Sequence, residues 1–202
     1  GIAGMVVVSR VPYHVWEGFA VPAYIVSAVL IVLVKTPLGI TSHGATRWIK
    51  IMGFSLQPAE VAKLGMIIFL ACLVCKMGKR IRTTKGLFAL LIPPGIIAVM
   101  VWKITQNMSS AIIILGIAML MIFVASPDYK RFVIMALAGS SVIALAVFAI
   151  VKMAESPEMM EKLEFRGLRI LAWLNPEAYA DGKGFQTLQA LYAIGSGGIF
   201  GK

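Results

Sequence analysis

Two sets of polar side chains in this 202-residue sequence have the types and spacing for chemistry. The first is Glu60 and Lys63, which follow Pro58 at the head of an apolar run. Spaced i, i+3, they share a helix face and can pair. A lysine or aspartate held mid-helix in hydrocarbon costs about 2.5–3.5 kcal/mol. Charges kept there normally face a cavity or a bundle interior and mark a functional path. A self-neutralising pair that snorkels to the interface is the plainer alternative.

The second set lies in the stretch AWLNPEAYADGKGFQTLQALYAIGSGG, Ala172 to Gly198. Glu177 and Asp181 sit there with Asn175, Tyr179, Gln186 and Gln189, and together these suit a polar cleft above a membrane. A carboxylate beside such a cavity can act as general base on a hydroxyl. A solvated loop also carries carboxylates, so the residues alone leave both readings open. Upstream, Glu155, Glu158, Glu161 and Glu164 recur every three residues, with Lys162, Arg166 and Arg169 close by. That pattern describes a charged, solvated helix.

Other patterns fail on inspection. Cys72 and Cys75 form a C-x-x-C inside a predicted membrane helix, with no second pair or histidine cluster to complete a zinc site. They read as two apolar-face cysteines, and no metal ligands are assigned. The terminal GSGGIFGK is not a phosphate loop, because Ser196 occupies the position of the first required glycine. The net charge of +10 does not point to nucleic acid either. Its cations cluster as Lys76, Lys79, Arg80, Arg82 and Lys85 between two apolar runs, the mark of a cytoplasmic loop.

The elements that must position these residues are membrane helices. Hydrophobic residues make up 59% of the chain and charged ones 14%, against about 45–50% and about 25% in soluble domains. The expected fold class is all-α: a polytopic integral membrane bundle with a long extracellular loop, 152–202, that carries short helices. Hydropathy predicts a partial span over Gly1–Ser9. Full spans follow near Phe19–Lys35, Pro58–Cys75, Gly86–Trp102, Ser109–Ala125 and Phe132–Val151. Gln186–Phe200 is apolar enough for a helix but too short and glycine-rich to span. With Lys76–Lys85 inside, Arg10–Gly18 and Ser126–Arg131 are also inside, and Thr36–Gln57 and the segment after Val151 lie outside. In the outer loop, GATRWIKIMGFSL alternates polar and apolar residues and is expected to form an interfacial amphipathic helix. Trp48 would then lie at headgroup level beside Arg47 and Lys50.

Several separated phrases resemble one family. GATRWIKIMGFSLQPAEVAKL is similar to the G-A-x-R-W-I…Q-P-[SA]-E-x-A-K signature of the shape, elongation, division and sporulation (SEDS) proteins. RILAWLNPE followed by GKGFQTLQALYAIGSGGIFGK resembles their long outer loop, and the FtsW and SpoVE branch fits best, with RodA a close relative. In that ten-helix family the chain would hold the second to seventh helices and most of the following loop, with the C-terminal helices missing.

The resemblance implies a peptidoglycan glycosyltransferase in the bacterial cytoplasmic membrane, polymerising lipid II beside a class B penicillin-binding protein. It implies an outer-loop aspartate as catalytic base. Arg47, Trp48, Glu60, Lys63, Gln186 and Gln189 are its implied substrate contacts, with Arg47 and Lys63 set to meet the diphosphate. The cofactor is open, a divalent cation being the candidate. Where relatives commonly read D-P-x-G-x-G-[YF]-Q, the aspartate's position here is Tyr179. The neighbouring carboxylates are Asp181, the preferred base, and Glu177, the alternative. QNMSSA departs as well, since many relatives carry an acidic residue near its start. Two other functions stay open: a flippase for lipid-linked precursor, favoured by Glu60 and Lys63, and a non-catalytic scaffold, favoured by Tyr179.

Overall fold

The computed structural model describes the chain except residues 43–44, 52, 127, 156–164, 199–200 and 202, and gives only the backbone at 42, 45, 51, 165 and 166. The expected charged helix at Glu158, Glu161, Lys162 and Glu164 lies outside the described residues. The chain divides into two compact units, Gly1–Tyr129 and Lys130–Lys202.

The first unit is a helical bundle with a small sheet at one end. A short α1 (Ile2–Ser9) stands where the partial span was expected. Next come α2 (Tyr13–Leu33), α3 (Pro58–Met77), α4 (Thr84–Thr105) and α5 (Met108–Ala125). At about 1.5 Å per residue these reach the roughly 30 Å of a bilayer's hydrocarbon core. All four are apolar enough to cross a membrane, as is Tyr129–Ala154, so the chain is a multi-pass membrane protein. Helix α2 begins six residues before the expected Phe19 because Tyr13, His14, Trp16 and Glu17 form a polar first turn and a half that hydropathy reads as loop.

Local signals set the helix ends. Pro58 opens α3, where its missing N–H costs nothing. Thr83 Oγ1 accepts the Gly86 N–H at 3.0 Å to cap α4, and Asn107 Oδ1 accepts the Ser110 N–H at 3.1 Å to cap α5. Ile31, Met66, Leu70, Leu90, Ile97, Val101 and Ile114 are buried between the helices. The α2–α3 crossing is tight at Gly65, where a Cβ would strike Ser27 Oγ and the Ala23 carbonyl. Tyr24 ties α2 to α4 by donating its hydroxyl to the Pro93 carbonyl at 3.2 Å.

The loop between α2 and α3 corrects one expectation. In place of an amphipathic helix, Gly39–Ser42 (β1), Ala45–Ile51 (β2) and Phe54–Leu56 (β3) form an antiparallel sheet in the order β1-β2-β3. Trp48 pairs with Ile40, and Ile49 lies between Gly39 and Leu56. Along Ala45–Ile51 two polar residues and then two apolar ones stand side by side, so the polar–apolar order alone does not separate the strand period from the helix period. Thr41, Thr46, Ile49 and Ile51 are β-branched, which favours a pleated backbone. Gly53, at φ +90°, makes the β2–β3 turn that a residue with a Cβ rarely allows. The bundle is therefore all-α in its spans and carries a sheet on its end.

The second unit contains α6 (Tyr129–Ala154, whose first residue falls in the first unit), α7 (Phe165–Leu174), a 3-10 turn (Glu177–Tyr179) and α8 (Phe185–Gly197). Helix α8 has 13 residues, a length of roughly 20 Å, short of a full span as expected.

Candidate functional site

The candidate residues fall into two groups, one in each unit. Arg47, Trp48, Glu60 and Lys63 belong to the first unit, and Glu177, Asp181, Gln186 and Gln189 to the second.

In the first unit, the sheet places its group at the end where α2 finishes, α3 starts and α4 meets α5. Strand β2 touches both α3 and α4, and Ile49 is fully buried there. Alternation along β2 puts Arg47 on the same face as Ile49, and Trp48 with Lys50 on the other. Arg47 Nη2 donates to the Gln106 carbonyl at 3.4 Å. Gln106 is the C-cap of α4, with left-handed φ of 52°. The guanidinium therefore sits at the negative end of the α4 dipole, a placement that stabilises by about 0.3–1 kcal/mol. Trp48 is partly exposed.

Glu60 and Lys63 pair as their spacing predicts, with Lys63 Nζ 2.8 Å from Glu60 Oε2. Lys63 is the more enclosed partner at 21% exposed, against 56% for Glu60. Glu60 occupies the first turn of α3, where a carboxylate also meets the positive end of the helix dipole. The result is a polar edge at a single end of an apolar bundle, where Arg47 and the Glu60–Lys63 pair stand with the exposed Lys35, Lys50 and Lys103.

The opposite end is basic. Lys76 Nζ lies 3.5 Å from Glu17 Oε1. The buried Ile81 anchors a 3-10 turn (Gly78–Arg82) from which Lys79, Arg80 and Arg82 extend outward. Cys72 and Cys75 are free thiols near this end.

In the second unit, Glu177 opens the 3-10 turn and Asp181 lies within the backbone turn that follows it. Asn175 Oδ1 accepts the Ala178 N–H at 3.4 Å and starts the 3-10 turn. The Tyr179 carbonyl accepts from Gly182 N at 3.2 Å and from Gly184 N at 2.9 Å. Gly184 has no room for a side chain, since a Cβ would strike the Pro176 and Tyr179 carbonyls. Glu177, before this turn, and Asp181, within it, are both exposed, with Tyr179 half-buried between them in sequence. Gln186 and Gln189 follow on α8, exposed and spaced i, i+3 on one face.

Sequence reasoning missed two contributors. Gln106 receives Arg47 across 59 positions of chain, and its place at the start of QNMSSA, between two apolar runs, is the only local mark it carries. Asn107, in the divergent QNMSSA, is the α5 cap, a role its residue type does signal.

Comparisons with known proteins agree with this layout. The family model described as cell cycle protein, FtsW/RodA/SpoVE, matches residues 1–202. Over its whole length the chain is 33% identical to a probable peptidoglycan glycosyltransferase FtsW of Trichlorobacter lovleyi, covering 50% of that protein. It is 30% identical to stage V sporulation protein E of Bacillus subtilis, covering 52% of it. The chain thus spans about half the length of the curated relatives it matches. Among solved structures, 96% of the chain superposes on 53% of a chain from a peptidoglycan synthase complex that coordinates polymerization and crosslinking, with a TM-score of 0.70 and 25% identity. The rod shape determining protein RodA of Thermus thermophilus shares the fold, with a TM-score of 0.52 over 68% of this chain and 45% of RodA, at 18% identity. A family-model match over residues 1–202 places the chain in the FtsW/RodA/SpoVE family of cell cycle proteins.

Proposed function

We propose that the protein polymerises lipid II into peptidoglycan glycan strands at the outer face of the bacterial cytoplasmic membrane. The observation that carries this reading is the gathering of Arg47, Trp48 and the Glu60–Lys63 pair at one end of the bundle. Relatives named as probable peptidoglycan glycosyltransferases support it. The basic 3-10 turn at the other end faces the cytoplasm by the positive-inside rule. The sheet end then faces outward, where lipid II presents its sugars just above the membrane.

Asp181 is the base in this proposal. Its carboxylate takes the proton from the 4-hydroxyl of the acceptor sugar. The freed oxygen attacks the anomeric carbon of the donor, a new glycosidic bond forms, and undecaprenyl diphosphate leaves with the bonding electron pair. Arg47 and Lys63 offset charge on the departing diphosphate, while Gln186 and Gln189 hold sugar hydroxyls. Asp181 is preferred to Glu177 because it lies within the turn that Gly184 closes. A class B penicillin-binding protein supplies crosslinking.

The test gives labelled lipid II to the protein, purified in detergent with a class B penicillin-binding protein. Asp181→Asn is expected to lower glycan-chain formation by about 10²–10⁴-fold, the usual worth of a general base, while Glu177→Gln keeps it. Loss in Glu177→Gln alone reassigns the base, and full activity in both removes both. An inactive wild-type complex that still moves lipid II across vesicles, and stops doing so on Glu60→Gln, replaces polymerisation with transport.

A further inference from the structure

An apolar groove of about 300 Å³ runs between α4 and α5. Gly95, Ala98 and Ala111 form its floor, and Trp102, Met108 and Leu115 its walls. A Cβ at Gly95 would meet nothing within 4 Å, so the floor is open at that point. Both helices are long and apolar enough to span the membrane, and Trp102, Met108 and Leu115 are all partly exposed. An apolar cavity of this kind does not hold water, and at membrane depth the chemistry that fills it is a hydrocarbon chain.

The groove's mouth carries a cation. Lys103 Nζ lies 4.2 Å from the centre of the Trp102 ring, within cation–π range. Trp102 lines the groove and Lys103 belongs to the last turn of α4, the level at which tryptophan and lysine meet lipid headgroups. Neither α4, α5 nor β2 contains an Asp or Glu. Glu60, at the same end of the bundle, is paired with Lys63. The nearby Arg47 guanidinium adds more positive charge beside Gln106. An anion is therefore the complement the mouth lacks, and a hydrocarbon chain the complement of the groove.

We propose that the α4–α5 groove binds one anionic phospholipid of the surrounding membrane, with an acyl chain over Gly95 and Ala98 and its phosphate at Lys103. The groove lining and Lys103 are not among the residues assigned to glycosyl transfer, and Arg47 beside the mouth is the one group the two proposals share.

Native mass spectrometry of the protein released from micelles doped with equal phosphatidylglycerol and phosphatidylcholine tests the proposal. The wild type is expected to retain phosphatidylglycerol about fivefold over phosphatidylcholine, the factor that roughly 1 kcal/mol per lysine at an anionic surface gives. Lys103→Gln should erase the preference and still carry lipid. Gly95→Leu should fill the floor and lose both lipids, with thermal unfolding monitored to show that the bundle stays intact. Equal retention of the two lipids by the wild type would overturn the proposal, as would an undiminished preference in Lys103→Gln. Displacement of the bound phosphatidylglycerol by stoichiometric undecaprenyl diphosphate overturns it too, in favour of a substrate-tail site.

Discussion

The two ends of the proposed chemistry are held in place by different physics. The polar edge of the first unit rests on packing: Ile49 of β2 is fully buried and Lys63 is mostly enclosed, while the exposed Arg47 reaches a helix end. The second unit's turn rests on backbone hydrogen bonds to the Tyr179 carbonyl, and its carboxylates and glutamines are exposed. Packed cores resist displacement, whereas exposed, sparsely packed segments open at low free-energy cost. The charges assigned to the diphosphate are thus on a packed frame, and the proposed base is on an exposed turn.

The largest effect expected from disturbing this contrast is at Gly184. Gly184→Val places side-chain atoms on the Pro176 and Tyr179 carbonyls and opens the turn that orients Asp181. Misplacing a reacting group by about 1 Å can cost about 100-fold in rate. Glycan synthesis should fall by about that factor or more, while thermal unfolding of the bundle changes little. A variant that unfolds at a much lower temperature would show that the turn is structural for the whole molecule and would erase the contrast.

Next in size is Gly65→Leu in the packed half. Overpacking a filled interior typically costs about 1–3 kcal/mol, and here the new side chain meets Ser27 and the Ala23 carbonyl. Chemical denaturation in detergent should register that loss. Gly95→Leu, on a helix face with open space, should cost much less and serves as the matched control. If both cost the same, the α2–α3 crossing is no tighter than the bundle's lipid-facing surface.

How much of this was legible in the sequence follows the same division. The spans were visible because runs near the membrane length leave few alternatives. Their ends were blurred only where polar residues continue the helix, as at Tyr13–Glu17. Glu60 and Lys63 were legible as a pair because helix geometry brings i and i+3 together without help from the fold. The sheet is not legible from periodicity, because the polar–apolar order of Ala45–Ile51 fits either period and only its β-branched content points to strand. Arg47's partner was invisible, since nothing local links position 47 to Gln106. In the second unit, the sequence showed which residues could act as base, but the Gly184-closed turn that separates Asp181 from Glu177 depends on backbone bonds no residue type announces.

The smallest expected effect on stability, and the one that sharpens the comparison most, is at Arg47. Its guanidinium makes one long hydrogen bond, 3.4 Å, to the α4 end and is exposed. Replacing it by glutamine removes a helix-end interaction of about 0.3–1 kcal/mol, and a cap alone predicts no more than that in denaturation and little change in turnover. A cation that also meets a diphosphate predicts a larger loss in glycan synthesis than in stability. Arg47→Lys then separates the two roles further. A lysine retains the charge for the helix dipole but gives up the planar fork that grips two phosphate oxygens at once. Stability restored with synthesis still depressed would place Arg47 on the substrate, and would mean that the packed frame carries chemistry of its own. Stability and synthesis restored together would leave it a cap, and the demanding contacts would then have to come from Lys63 or from the exposed turn of the second unit.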